Sequence, residues 1–188
     1  KKFFPETIDK ISNELTPMVA TARKIKEDHP DASVVFIGPC ASKKLEASRR
    51  TVRSDVDFVI TFEELAGMFE AKGLLPEAVE AHDHMNDATS AGRGYGVAGG
   101  VASAIESCIR EYYPDVEVHI EHAESLAECK KMLMLAKAGK KNGCLIEGMA
   151  CPGGCVAGAG TNIPIPQAVK EVTSFKNAAE EKLPSKED

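Results

Sequence analysis

The residues with the clearest chemical potential are Cys151 and Cys155, in the stretch Glu147-Gly-Met-Ala-Cys-Pro-Gly-Gly-Cys155. Pro152 fixes one backbone angle, and Gly153 and Gly154 admit angles closed to other residues, so the chain turns tightly and lets backbone approach a bulky ligand. Two thiolates on such a turn suit a soft metal or an iron–sulfur cluster. A disulfide, or a loop with two free buried thiols, is the competing reading. A second candidate is Cys40, in Gly38-Pro39-Cys40 at the carboxyl end of a short apolar run, where open α/β sheets place ligands. Lys43 follows three residues later and offers an ammonium to an anionic cofactor; with Lys44 it equally suits a solvated helix start. His82 and His84 form a His-x-His pair, but nothing near them completes a ligand set. Cys108 and Cys129 fall on apolar helical stripes and Cys144 near the start of a strand, and all three read as structural.

The elements that must position these residues alternate. Residues 5–28 read as helix in two pieces, with Ile8, Ile11, Leu15, Met18, Ala22 and Ile25 at helical spacing and Thr16-Pro17 starting the second piece. Strands are expected at 33–38, 56–60, 116–121 and 144–149. Thr61 and Glu64 form a capping box for a helix over 62–72 that carries Leu65, Met68 and Phe69 inward and stops at Gly73. Further helices are expected at 100–112, 124–139 and 167–181, with Leu126, Leu133 and Phe175 among their inward residues. Gly94-Tyr-Gly-Val-Ala-Gly99 has the letters of a dinucleotide fingerprint, but no strand leads into it, so it reads as a loop entering a helix. The pattern predicts an α/β fold, a mostly parallel β-sheet flanked by helices. If the strands ending at 38 and 149 are parallel neighbours, Cys40, Cys151 and Cys155 meet at one edge.

At 188 residues with 43% hydrophobic content, the chain supports one domain or one lobe of a larger one. A net charge of −6 excludes a strong basic field for nucleic acid. No apolar run reaches membrane length, so no membrane insertion is expected. Six cysteines without a visible secretory signal point to a reducing, cytoplasmic setting, where clustered cysteines signal metal or redox chemistry.

Two of these stretches resemble the signature motifs of the iron-only (FeFe) hydrogenases, anaerobic enzymes that carry the H-cluster. This cofactor is a 4Fe–4S cubane bridged by a cysteine to a two-iron centre with CO and cyanide ligands. Gly38-Pro-Cys-Ala-Ser-Lys-Lys-Leu-Glu46 is similar to the family's Met-Pro-Cys-Thr-Ala-Lys-Lys-x-Glu. Glu147 to Cys155 match its Glu-x-Met-Ala-Cys-Pro-Gly-Gly-Cys, and Gly96-Val-Ala-Gly-Gly-Val101 resembles its Gly-Ala-Thr-Gly-Gly-Val. The resemblance covers about residues 5–162 and implies one lobe of a hydrogenase catalytic domain.

The resemblance implies that Cys40, Cys151 and Cys155 ligate the cubane, with Cys155 also bridging to the two-iron centre. Lys43 would hold a cyanide ligand by a charge-assisted hydrogen bond. Met149 would pack on the two-iron site, with Gly38, Pro39 and Tyr95 also beside the cofactor. The family's Thr-Ser-Cys-Cys-Pro motif, source of a fourth cubane ligand, is absent from residues 1–188. The chain therefore reads as the C-terminal part of an H-cluster domain, inactive by itself, in a parent that reversibly reduces protons to dihydrogen. Ferredoxin or an N-terminal iron–sulfur domain would exchange electrons with it, and maturation proteins would install the cofactor. Gly38 in place of methionine resembles divergent, sensory-type members and is expected to open space near the cluster. A hydrogen-sensing domain, and an iron–sulfur scaffold or assembly protein without the two-iron centre, are the alternatives.

Overall fold

The computed structural model describes residues 3–49, 52, 54–80 and 88–186; His82 and His84 lie outside the described residues. The chain divides into two compact units. One, the Cys40 unit, comprises Ser12–Ala81 and Gly158–Asn162; the other, the Cys151 unit, comprises Lys1–Ile11, His82–Ala157 and Ile163–Asp188.

In the Cys40 unit, Pro17 opens helix α1 (Pro17–Asp28), its fixed φ suited to a first helical position. Strand β1 (Val35–Ile37) leads to helix α2 (Ser42–Ser48), and β2 (Phe58–Ile60) leads to α3 (Phe62–Ala71). β1 and β2 pair in parallel, Val35 opposite Phe58 and Ile37 opposite Ile60. Met18, Val19, Ala22, Val34 and Val56 form the core, with Phe36, Ala47, Val52 and Val59 packed against it. The expected capping box is present: Glu64 N–H donates to Thr61 Oγ1 (3.2 Å) and Thr61 N–H to Glu64 Oε2 (2.8 Å). Gly73, at φ +64°, follows the helix.

In the Cys151 unit, Pro5–Lys10 is a 3₁₀ turn. Ser90–Arg93 forms α4, and a 3₁₀ turn at Gly94–Gly96 leads through Gly99 into α5 (Gly100–Tyr112). Strand β3 (His119–Glu124), helix α6 (Ser125–Lys137) and strand β4 (Cys144–Met149) make a βαβ unit, and α7 (Ile165–Asn177) completes the order. β3 and β4 pair in parallel from His119 opposite Cys144 to Glu124 opposite Met149. The buried apolar residues here are small: Ala102, Ala104, Ala123, Ala136, Ala168 and Ala179, with Val156.

Several expectations need correction. The strands ending near residues 38 and 149 are not neighbours: each lies in its own two-stranded sheet, β1 with β2 and β4 with β3. The strand expected at 116–121 runs three residues later, because burial of Ala123 and the register against β4 outweigh the alternation of Val116, Val118 and Ile120. The first helical piece is only a 3₁₀ turn, and Ile8, Ile11, Leu15 and Ile25 are all exposed. Leu126, Leu133, Met68 and Phe175 also face outward, although their spacing predicts otherwise. Cys108, Cys129 and Cys144 are half-buried.

Candidate metal centre

The first cysteine loop belongs to the Cys40 unit. Gly38 is buried and donates its N–H to the Ile60 carbonyl (3.1 Å), which continues the β1–β2 pairing to the edge of the loop. A Cβ at Gly38 would lie 2.8 Å from Cε1 of the Phe36 ring. The space expected to open there is therefore filled from within the chain, and glycine is what lets the Cε1–Cζ edge of the ring approach the backbone. The Pro39 carbonyl accepts from Gly160 N–H (3.0 Å), and the Cys40 carbonyl accepts from Lys43 N–H (3.2 Å) as α2 begins. Cys40 itself is half-buried.

Lys43 does not point into solvent. Its Nζ lies 2.6 Å from Glu46 Oε2, and Thr16 donates its hydroxyl to Glu46 Oε1 at 2.5 Å. Burial alone would raise the Glu46 pKa, but the hydrogen bonds from Lys43 and Thr16 and the charges of Lys43 and Arg49 outweigh it. The carboxyl is held below its ordinary value. Thr16 stands at the N-cap position of α1, ahead of Pro17, but its hydroxyl serves the ion pair rather than the helix amides.

The second cysteine loop belongs to the Cys151 unit. β4 delivers Met149, and Gly154 N–H then donates to the Cys151 carbonyl (3.0 Å) to close the turn. Gly153 and Gly154 both sit at φ +94°, which only glycine adopts readily. Cys155 is exposed and opens a 3₁₀ turn, Cys155–Ala157. The glycine-rich loop that carries Tyr95 lies directly on this turn: Ala98 N–H donates to the Gly153 carbonyl (3.1 Å). A Cβ at Gly154 would fall 2.4 Å from Ala98 N and 2.7 Å from the Gly96 carbonyl oxygen.

Two acids missed by sequence reasoning support the same place. Glu147, quoted only as a motif letter, accepts hydrogen bonds from Gly99, Val101 and Ala102. Glu124 Oε2 accepts from Gly153 N–H at 2.9 Å. Glu147 was legible in the motif but its partners, more than 40 residues away, were not. Glu124 carried no signal. Behind the turn, Cys129 Sγ lies 3.7 Å from the Ala123 and Met149 carbonyls; burial first, then the Glu128 charge, raises its pKa. No disulfide joins the cysteines. Among the described residues, neither unit by itself gathers three His, Cys, Asp or Glu side chains into a metal-binding group. In donor chemistry the residues fit part of an iron–sulfur ligand set. Two thiols come from one glycine turn and one from a separate loop, beside a lysine.

A family model described as "Iron only hydrogenase large subunit, C-terminal domain" matches residues 1–159. The periplasmic [Fe] hydrogenase large subunit of Nitratidesulfovibrio vulgaris is 30% identical, over 74% of this chain and 41% of its own length. Iron hydrogenase 1 of Clostridium pasteurianum is 27% identical, over 92% of this chain and 37% of its own length. The chain thus spans about two fifths of these curated relatives. Among solved structures, an apo [FeFe]-hydrogenase HydA1 variant from Chlamydomonas reinhardtii superposes with a TM-score of 0.69 at 20% identity, over 96% of this chain and 63% of that one. A structure concerned with oxygen inactivation of an [FeFe]-hydrogenase gives 0.67 at 19% identity, covering 96% of this chain and 64% of the other. At such identities these two likenesses speak for the fold. No helix among the described residues is long and apolar enough to cross a membrane.

Proposed function

Because the chain belongs to the iron-only hydrogenase large-subunit family, we propose that it is the C-terminal part of an H-cluster domain whose parent interconverts protons, electrons and dihydrogen. When bound, the H-cluster supplies the two-electron chemistry of protons and dihydrogen. The protein's share is ligation, orientation and exclusion of water. Cys40, Cys151 and Cys155 would hold the cubane through thiolate sulfur, and Cys155 would also join it to the two-iron centre. Lys43, which the structure pairs with Glu46, would hold a cyanide ligand by a charge-assisted hydrogen bond, and Met149 would pack on the two-iron site. Gly38, Pro39 and Tyr95 supply the walls.

The single observation that carries the reading is the framed turn of the Cys151 unit. Cys151 and Cys155 flank Pro152 and two consecutive glycines at positive φ, and this turn bonds to the glycine loop that resembles a third stretch of the family. A cubane takes four thiolates, and the motifs within residues 1–188 supply three. Expressed alone, the chain is expected to assemble no complete H-cluster. Electrons come from ferredoxin or an N-terminal iron–sulfur domain, and the cofactor is installed by maturation proteins. The cytoplasm belongs to this proposal too, although one relative is named periplasmic.

The test is anaerobic maturation of the parent. CO and cyanide infrared bands and hydrogen evolution are expected. Cys155→Ala is expected to remove those bands, leave the cubane's paramagnetic signal, and lower hydrogen evolution by more than about three orders of magnitude, because the barrier is lowered by the cofactor. Hydrogen evolution retained in Cys155→Ala overturns the bridging role. A wild-type protein with a cubane but no CO or cyanide bands is an iron–sulfur scaffold instead.

A further inference from the structure

Glu147 is placed where a carboxylate is costly unless it is fully used. Its side chain is 9% exposed. Oε2 accepts from Gly99 N–H at 2.6 Å, and Oε1 accepts from Val101 N–H at 3.0 Å and Ala102 N–H at 3.2 Å. The amides at the start of a helix have no partner within the helix, and that end carries the positive pole of its dipole. One side chain from β4 therefore satisfies the start of α5, a helix 13 residues long, across 45 to 48 residues of sequence. His122, opposite Glu147 in the β3–β4 register, lies with Nδ1 3.6 Å from the same Oε2. A Cβ at Gly99 would meet the His122 ring at 3.5 Å.

The loop so anchored is the one that seats the cysteine turn. Ala98 N–H, adjacent to Gly99, donates to the Gly153 carbonyl, and the N–H of the same Gly153 donates to Glu124. Glu124 ends β3, opposite Met149, and the next residue, Ser125, sits at φ +82°. A non-glycine residue in that region stores strain, and strain of this kind persists where its surroundings hold it. Here the sharp turn from strand to helix accompanies a Glu124 carboxylate that lies on the cysteine turn instead of extending along α6. Two parallel strands thus send one acid each, Glu147 to the glycine loop and Glu124 to the cysteine turn, while loop and turn bond to each other.

We propose that Glu147 and Glu124 are positioning residues that fix the backbone bearing the Cys151 and Cys155 thiols before any metal binds. The proposal rests on the reading of those two cysteines as cluster ligands. Ligand sulfurs tolerate little misplacement, and side chains behind the ligands set both affinity and electronic properties of a metal site. Neither acid touches the cluster in this role; both act through the backbone.

The test uses the complete parent protein, prepared without the two-iron unit, as wild type and as Glu147→Ala, Glu147→Gln and Glu124→Ala. Before iron is added, amide hydrogen exchange and cysteine alkylation are followed, with Cys129 and Cys144 as internal references. Glu147→Ala is expected to speed exchange at Gly99, Val101 and Ala102 by about tenfold or more. It should also raise alkylation of Cys151 and Cys155 relative to Cys129 and Cys144. Glu147→Gln, which keeps one acceptor oxygen, is expected to fall between Glu147→Ala and wild type. Glu124→Ala should act mainly at Gly153. After iron and sulfide are added, the reduced cubane's g-values are expected to shift in Glu147→Ala and to return toward wild type in Glu147→Gln. Unchanged exchange and alkylation in both alanine variants overturn the proposal, and so does an equal rise at all four cysteines, which is what general destabilisation gives. If wild type takes up no cubane, the hydrogenase reading fails, while the exchange and alkylation ratios still decide whether the acids position the turn.

Discussion

The two cysteine loops are held by opposite means. In the Cys40 unit, valines and Met18 make most of the core and the loop is finished by side chains: the Phe36 ring fills the space beside Gly38, and Lys43, Glu46 and Thr16 form a chain of polar contacts. In the Cys151 unit, alanines make the core and backbone lies on backbone, with two carboxylates satisfying amides rather than cations. Small residues allow that close approach, as glycine does where one backbone must pass another. A side-chain frame tolerates adjustment because rings and chains can move. A backbone frame does not, so its failures should be larger and more localised.

The sharpest way to break this contrast is Gly154→Ala. The added methyl would meet backbone at 2.4 Å, and alanine must also adopt φ +94°. A loss of about 3 kcal/mol or more is expected in chemical unfolding of the Cys151 unit. A loss below about 1 kcal/mol would mean that the loop and turn can separate freely. Gly38→Ala tests the other frame. Its methyl meets only the edge of the Phe36 ring, at 2.8 Å, so about 1–2 kcal/mol is expected. Phe36→Leu should relieve part of it, and a double variant no better than Gly38→Ala would show that the ring is not the obstacle.

The smallest effect is expected at Glu46→Gln, about 1 kcal/mol at neutral pH, as the ion pair with Lys43 is lost. The Glu46 pKa is lowered in the folded protein from its ordinary value of 4.5. The unfolded state therefore takes up the proton first as pH falls. The wild-type advantage is complete above 4.5 and disappears as pH drops through the folded value. Unfolding curves of wild type and Glu46→Gln should converge in acid, and a difference that stays constant down to pH ~3 would assign the effect to packing rather than charge.

Much of the local structure was legible in the residues. The capping box at Thr61 and Glu64, the stop at Gly73, the loop reading of residues 94–99 and strand β4 leading to Cys151 depend on neighbours a few positions apart. Less legible was which face of each helix is covered. Leu126 is 75% exposed despite ideal spacing, because periodicity marks a candidate face without saying what lies against it. The α/β class and parallel strands were legible, but not that the strands divide between two sheets, because parallel strands are paired by long crossovers and strand sequences do not specify their partner.

By itself the sequence determined the chemistry available. Cysteine, lysine and glycine types at short spacing define which atoms can bind iron and where the chain can turn, since thiolate softness and glycine's freedom are properties of single residues. The tertiary structure alone decided which groups those atoms must answer to. Glu46 rather than solvent faces Lys43, Phe36 occupies the place beside Gly38, and Glu147 closes a helix that begins 47 residues earlier. Those are contacts between distant segments, set by how cores and amide groups are satisfied together, and no short stretch of residues encodes them.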